Sequence, residues 1–391
     1  MAFFMRNIFN ATEEVAMSAP YTDIRFSVIN QVTSSEEQPD IELKYGWTNP
    51  SDAKVLNYMS AVCFLFARNI YDVTGVPIGL IDSSWGGTRV EAWSSPEALE
   101  ACDIPDHVSD EKPQESNSHL WNAMIAPLKQ MSLKGFLWYQ GEANSHWNTD
   151  KYNCTFPTLI DSWRTEFSSK SFTSPLAPFG FVQLSTIKYG HDNTYPLLRQ
   201  HQTADYGYVP NPRMENVFMA VAVDTYDEEN GIHPRYKQII GERLAFTGLN
   251  VAYGLEEFPK SGPIVTDISS NDGGMVVSYD KDIIFNNSEL SGFFLCCQES
   301  EYSCYDSHIY KWDPIPTTCT TLTSSTQVTI NLSCWTCDNN EPPSLAYLWR
   351  ETPIQTPIWG APVYADDMFR LPAAPFIKLA SQIPYSQQQK I

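Results

Sequence analysis

Four short apolar runs punctuate the first part of the chain: Pro77–Ser84 (PIGLIDSS), Lys134–Tyr139 (KGFLWY), Pro178–Ser185 (PFGFVQLS) and Val217–Val223 (VFMAVAV). Each is bounded by turn residues and apolar along most of its length, the pattern of a strand buried on both faces of a parallel sheet. The segments between them have a different period. Leu56–Tyr71 carries Met59, Cys63, Phe66 and Ile70 at three- to four-residue spacing, which predicts a helix with one buried face. Leu120–Leu128, Asp150–Phe167 and Arg235–Phe246 read the same way. This alternation, from about Asp23 to Thr247, predicts an α/β fold with a doubly wound parallel sheet flanked by helices. After about Asn250 the helical period disappears. Gly274–Tyr279 (GMVVSY) and Gln327–Leu332 (QVTINL) alternate with period two, so a smaller β-rich domain is expected to follow, dividing the chain into 1–249 and 250–391.

Composition narrows the function classes. A net charge of −21 argues against nucleic acid and anionic membrane as the main partner, because both repel an acidic surface. No run reaches the roughly 18 apolar residues of a membrane span. Aromatic residues make up 13% of the chain; they suit a large core and equally suit sugar-facing surfaces.

Six of the nine cysteines lie between Cys296 and Cys337: Cys296, Cys297, Cys304, Cys319, Cys334 and Cys337. Only Cys334 and Cys337 have the spacing of a zinc-binding pair, and no second such pair exists, so a disulfide-stapled module is the expectation. Glycosylation sequons stand at Asn10, Asn153, Asn286 and Asn331. Both features point to a secretory or lysosomal lumen. The segment Met1–Asn7 is too short, and broken too early by Arg6, to be a signal peptide. The natural N-terminus is therefore expected to be missing, and the chain as written would remain in the cytosol.

Three motifs follow strand ends, where open α/β sheets form their sites. Ser84-Trp85-Gly86-Gly87-Thr88 has paired glycines that let backbone N–H groups approach a ligand, as an oxyanion hole requires, or that simply make a tight turn. Gln140, Glu142 and Asn144 place three polar side chains in one turn after Tyr139, as amide donors to an oxyanion or as a polar turn. Gly231-Ile232-His233-Pro234 holds the third. Histidine is the usual general base near neutral pH, and Asp224, Asp227, Glu228 and Glu229 stand just upstream to orient it. No phosphate-binding glycine loop, zinc-protease motif or Gly-x-Ser-x-Gly elbow occurs.

These motifs, in this order, resemble blocks II, III and V of the SGNH hydrolases. Longer strings resemble the sialate O-acetylesterase family: Ser60–Leu65 (SAVCFL), Pro77–Ser95, Leu120–Leu128 (LWNAMIAPL), Lys134–Asn144, Tyr152–Pro157 (YNCTFP), His201–Pro212 and Gly231–Lys237 (GIHPRYK). The resemblance runs from Ile8–Thr12 (IFNAT) to Pro375–Ile377. It implies removal of O-acetyl groups from sialic acids, particularly at the 9-position, by serine-esterase chemistry with no metal or cofactor, in a lysosomal or secreted glycoprotein. On it His233 is the base. Asp227, Asp224 or a backbone carbonyl orients it, because Asn230 occupies the place three residues upstream where such enzymes commonly carry Asp. Gly87 gives a backbone donor to the oxyanion, and Gln140 or Asn144 a side-chain donor.

The family's nucleophile lies in a Gly-Gln-Ser-Asn-Met motif shortly before the Ile-Phe-Asn-Ala-Thr string, which begins here at Ile8. The serine, the central strand that presents it and an N-terminal β domain are therefore expected to fall ahead of Met1. Ser18, Ser83 and Ser84 are no substitutes, and residues 1–391 alone are expected to be inactive. Two rival readings are a catalytically dead sialoglycan-binding protein retaining Gln183, Arg199 and His201, and an esterase for acetylated xylan or another plant polysaccharide.

Overall fold

A computed structural model describes residues 1–187, 194–271, 274–286, 291–297, 304, 312–334 and 343–384. The first part alternates strands and helices: α1 (Ala11–Ser18), β1 (Ile24–Ile29), β2 (Leu43–Thr48), α2 (Ala53–Leu56), α3 (Ala61–Thr74), β3 (Ile78–Asp82), α4 (Pro96–Glu100), β4 (Phe136–Trp138), α5 (Tyr152–Lys170), β5 (Phe179–Gln183), α6 (Thr194–His201), β6 (Val217–Val221) and α7 (Lys237–Tyr253). All four predicted strands form. β5 and β6 are buried at every residue, as continuous apolar runs require.

Local chemistry sets the helix ends. The hydroxyl of Ser60 accepts the Cys63 N–H at the start of α3, and Gly75 (φ 63°) closes its end with an N–H to Tyr71 O. Gly241 in α7 lets α3 approach: a Cβ there would stand 2.6 Å from Cβ of Leu65. The predicted helix at Leu120–Leu128 instead becomes a π turn (Trp121–Ile125) followed by a 3₁₀ turn containing Pro127.

The sheet comes in two halves. β2-β1-β3 has a parallel β1–β3 pair, with Ile24 opposite Ile78, and β2 as an antiparallel edge; β4-β5-β6 is parallel throughout. β3 ends one half and β4 begins the other. Between them lies a cavity of about 590 Å³, lined by Leu80 and Ile81 of β3, Phe136, Leu137 and Trp138 of β4, and Cys63, Trp163 and Phe167 from the helices. Both Gly135 and Gln140 line it, so it runs the whole length of β4.

After α7 the chain continues through the strands β7 (Val265–Asn271), β8 (Gly274–Tyr279), β9 (Ile283–Phe285), β10 (Phe293–Cys296), β11 (Asp313–Pro314), β12 (Thr320–Ser324), β13 (Gln327–Asn331), β14 (Ser344–Tyr347), β15 (Val363–Ala365) and β16 (Phe376–Lys378). They pair as antiparallel sheets of order β11-β10-β14-β16, β12-β13-β8-β7 and β15-β9. One cluster of buried apolar side chains runs from Phe181 and Val221 into Val277, Phe293 and Tyr347, joining the two regions.

Disulfides Cys296–Cys304 and Cys319–Cys334 staple the β-rich part, and Cys102–Cys154 ties α5 to the loop after α4. Cys297 is also disulfide-bonded, and Cys337 lies outside the described residues. No helix among the described residues is long and apolar enough to cross a membrane.

Candidate active site

The three strand-end motifs open on the same cavity. Gly86, Gly87 and Thr88 follow β3, Gln140 and Glu142 follow β4, and His233 follows β6; all of them line it. His233 stands exposed at the lip, with its ring centroid 6.3 Å from that of Phe3. Partial loss of water lowers its pKa below the ordinary imidazole value; Glu142 opposes that shift, while Lys237 reinforces it.

Gly87 sits at φ +76°, a backbone that a side chain at this position would strain, although nothing stands within 4 Å of an added Cβ. No acceptor among the described residues takes the N–H of Gly86 or Gly87. Both residues line the cavity with these N–H groups uncommitted, and uncommitted backbone donors are what a developing oxyanion needs.

Gln140 is more committed than its position suggests. Its Nε2 donates to Thr88 O (3.1 Å) and to Asn144 Oδ1 (2.7 Å), and its Oε1 accepts from Tyr152 Oη (3.0 Å). Asn144 is fully buried and is not among the residues lining the cavity. Its Nδ2 donates to Glu91 Oε2 (2.9 Å), and its Oδ1 also accepts the Val90 N–H. Asn144 thus clamps the loop after β4 to the loop after β3. Of the two amides, only Gln140 reaches the cavity.

The upstream carboxylates do not meet the imidazole. Asp224 is buried, with Arg243 donating to both its oxygens (2.5 and 2.8 Å) and Tyr364 Oη donating at 2.6 Å. It anchors α7 and β15 to the end of β6. Asp227 accepts from Arg235 Nε (2.8 Å), Nη2 (2.9 Å) and N (3.0 Å). Burial pushes its carboxyl up, but the bonds to Arg235 outweigh that and hold it below the usual carboxylate range. Asp227 therefore braces the histidine loop, not the imidazole ring. Asn230 does the same, its Nδ2 donating to His233 O. Among the described residues, Glu142 is the carboxylate that shares the cavity with His233.

Arg243→Met should leave Asp224 buried without its counter-ion and cost about 3–5 kcal/mol. The measurement is a urea-unfolding midpoint. Asp224→Leu combined with Arg243→Met should lose less than the single variant, and an unchanged midpoint in the single variant would refute the anchoring role.

Ser83 and Ser84 line the cavity, but their hydroxyls donate elsewhere, to Met124 O (2.9 Å) and Asp82 Oδ1 (2.7 Å). Ser18 donates to Glu14 O, a helical turn back in α1. Among the described residues no hydroxyl bonds the His233 ring. Gln183, Arg199 and His201 do not line this cavity. Arg199 is buried and donates to the carbonyls of Leu184, Ser185, Arg350 and Glu351, and His201 pairs with Asp205.

One residue the sequence reading passed over does line it. Lys237 opens α7 one turn after His233 and is 1% exposed. Its spacing from the histidine at a predicted helix start was the available signal. Of the sequons, Asn10, Asn286 and Asn331 are exposed, whereas Asn153 is half-buried with its amide donated to Asp205 (2.6 Å).

Comparison with known proteins agrees with this geometry. Residues 50–247 match the family model for carbohydrate esterases described as sialic acid-specific acetylesterases, and residues 265–380 match that for the sialate O-acetylesterase C-terminal domain. Human sialate O-acetylesterase is 40% identical over 96% of this chain and 72% of its own length. The mouse protein of that name is 38% identical over 96% and 75%. A solved carbohydrate acetylesterase from Xanthomonas citri superposes with a TM-score of 0.76 at 25% identity, covering 97% of this chain and 78% of that one. The chain therefore belongs to the sialate O-acetylesterase family of carbohydrate esterases.

Proposed function

We propose that the protein removes O-acetyl groups from sialic acids, with His233 as general base and the Gly86 and Gly87 N–H groups, beside Gln140, receiving the oxyanion. The observation that carries this reading is that the three strand-end motifs converge on one cavity. Hydrolysis needs a base, oxyanion donors and a nucleophile, and the shared cavity supports His233 for the first role and Gly86 and Gly87 for the second.

The nucleophile in this reading is a serine on a strand seated between β3 and β4. β3 is only half-buried over most of its length, although a strand at the middle of such a sheet is ordinarily covered. A strand residue occupies roughly 4.8 Å between neighbours, 10 Å between layers and 3.3 Å along its axis, about 160 Å³. A cavity of 590 Å³ alongside the three-residue β4 therefore has room for a short strand segment. Such a strand would end at the lip occupied by His233.

Disulfides on both sides of α7 support a lysosomal or secreted setting, because they persist in oxidising compartments. Exposed Asn10, Asn286 and Asn331 would carry glycans there.

Substrate choice is tested by acetate release from 9-O-acetyl sialoside and from acetylated xylan, using a form that carries the serine-bearing strand. The expected result is a kcat/KM at least about tenfold higher for the sialoside, the discrimination that about 1.4 kcal/mol of differential transition-state binding provides. Equal values, or a preference for xylan, would transfer the assignment to plant polysaccharides.

A further inference from the structure

Lys237 is an unusual residue to bury. It is 1% exposed, and its Nζ lies 4.8 Å from the ring centroids of both Phe3 and Tyr139. No carboxylate among the described residues comes within ion-pair distance. Contacts with ring faces return less than is lost on dehydrating an ammonium. The fold therefore keeps a poorly compensated cation, and keeps it in the cavity that holds His233 and Glu142.

Among the described residues, the charged and titratable groups around that cavity are few. Glu142 arrives from the loop after β4 and supplies negative charge. Asp227 lies in the histidine loop and is spent on Arg235. Asp82, at the end of β3, accepts from Ser60 N and Ser84 Oγ. Burial pushes the Cys63 thiol of α3 to about 12, so it stays neutral, and burial also raises the Tyr139 phenol.

We propose that Lys237 and Glu142 are positioning residues that set, with opposite sign, the readiness of the His233 imidazole to accept a proton. A cation in the same cavity disfavours a second positive charge on the ring, and a carboxylate there favours one. Burial lowers the Lys237 ammonium to about 7, so it carries its charge through the acidic range in which His233 titrates. The balance keeps the base neutral before attack and offsets part of the imidazolium charge formed during it.

This inference rests on His233 being the base, and the test separates the two. The titration midpoint of His233 is read by NMR of histidine-labelled protein, with His233→Gln assigning its signal among the seven histidines. Lys237→Met should raise the midpoint by about half a pH unit or more, and Glu142→Gln should lower it by a similar amount. Lys237→Arg, which keeps the charge, should stay near the parent value. Unmoved midpoints, or midpoints that move in the same direction, would overturn the proposal. Should Lys237→Met fail to fold, Glu142→Gln decides alone: its midpoint must fall.

The acid limb of kcat/KM in the serine-bearing form should follow the same shifts, to higher pH without the lysine and to lower pH without the glutamate. Midpoints that move while the limb stays fixed would support the charge pairing and remove His233 from the role of base.

Discussion

A polypeptide of residues 1–391 alone should release acetate from 9-O-acetyl sialoside about 10⁶-fold more slowly than a form with a serine-bearing strand seated between β3 and β4. His233 would still share the cavity with Gly86 and Gly87, but on the proposed mechanism it would have no hydroxyl to activate. Ser83 and Ser84 cannot take the role without breaking their bonds to Met124 O and Asp82 Oδ1. Residual turnover of about 10³-fold over water is expected from binding and the oxyanion site. Ser83→Ala and Ser84→Ala should leave that residue of activity unchanged. Acetate release by both forms, measured side by side, decides the matter: rates within tenfold of each other would show that a nucleophile already lies within residues 1–391.

The elements that frame this site were the easiest to read in the sequence. β3, β4, β5 and β6 are short apolar runs because their surroundings are apolar on both faces, and that condition writes itself into consecutive residues. β1 escaped notice because Arg25 and Ser27 interrupt its pattern; Arg25 points to solvent, while Ser27 is buried and donates its hydroxyl to Tyr45 O. β2 is an exposed edge and carries no such run. The π turn at Trp121–Ile125 follows a helical pattern in its apolar spacing, and spacing alone does not register its different hydrogen bonding.

Within the site, the motifs were legible and their division of labour was not. Gly87 had to be glycine for its backbone. Gln140 and Asn144 look equivalent in the chain, yet Asn144 is enclosed by Glu91, Val90 and Trp147, residues its neighbours in sequence do not predict. Asp224 and Asp227 likewise look alike upstream of His233. Arg243, a full turn system away on α7, and Arg235, two residues past the histidine, decide where each carboxylate goes. Lys237 was hidden for the complementary reason: a lysine at a helix start reads as solvated, and only the packed rings of Phe3 and Tyr139 reveal its burial.

In the serine-bearing form, His233→Ala should lower kcat by about 10⁴- to 10⁶-fold. The loss belongs in kcat because a base acts on the proton of the attacking hydroxyl, an interaction made on the way to the transition state and absent from substrate binding. KM should therefore change little. The fold should tolerate the change, since the ring is exposed at the lip and its loop is braced through Asp227 and Asn230, not through the imidazole. An unchanged urea midpoint alongside the lost turnover separates chemistry from stability. Asp227→Asn offers the contrast: it weakens the Arg235 brace, so its effect should be a displaced loop with a much smaller loss of kcat. A sialoglycan-binding protein would show no such division, because removing the imidazole would alter affinity or nothing. Retention of more than a tenth of the parent kcat in His233→Ala would end the assignment of His233 as base and return Glu142, the carboxylate on the same cavity, to consideration for that role.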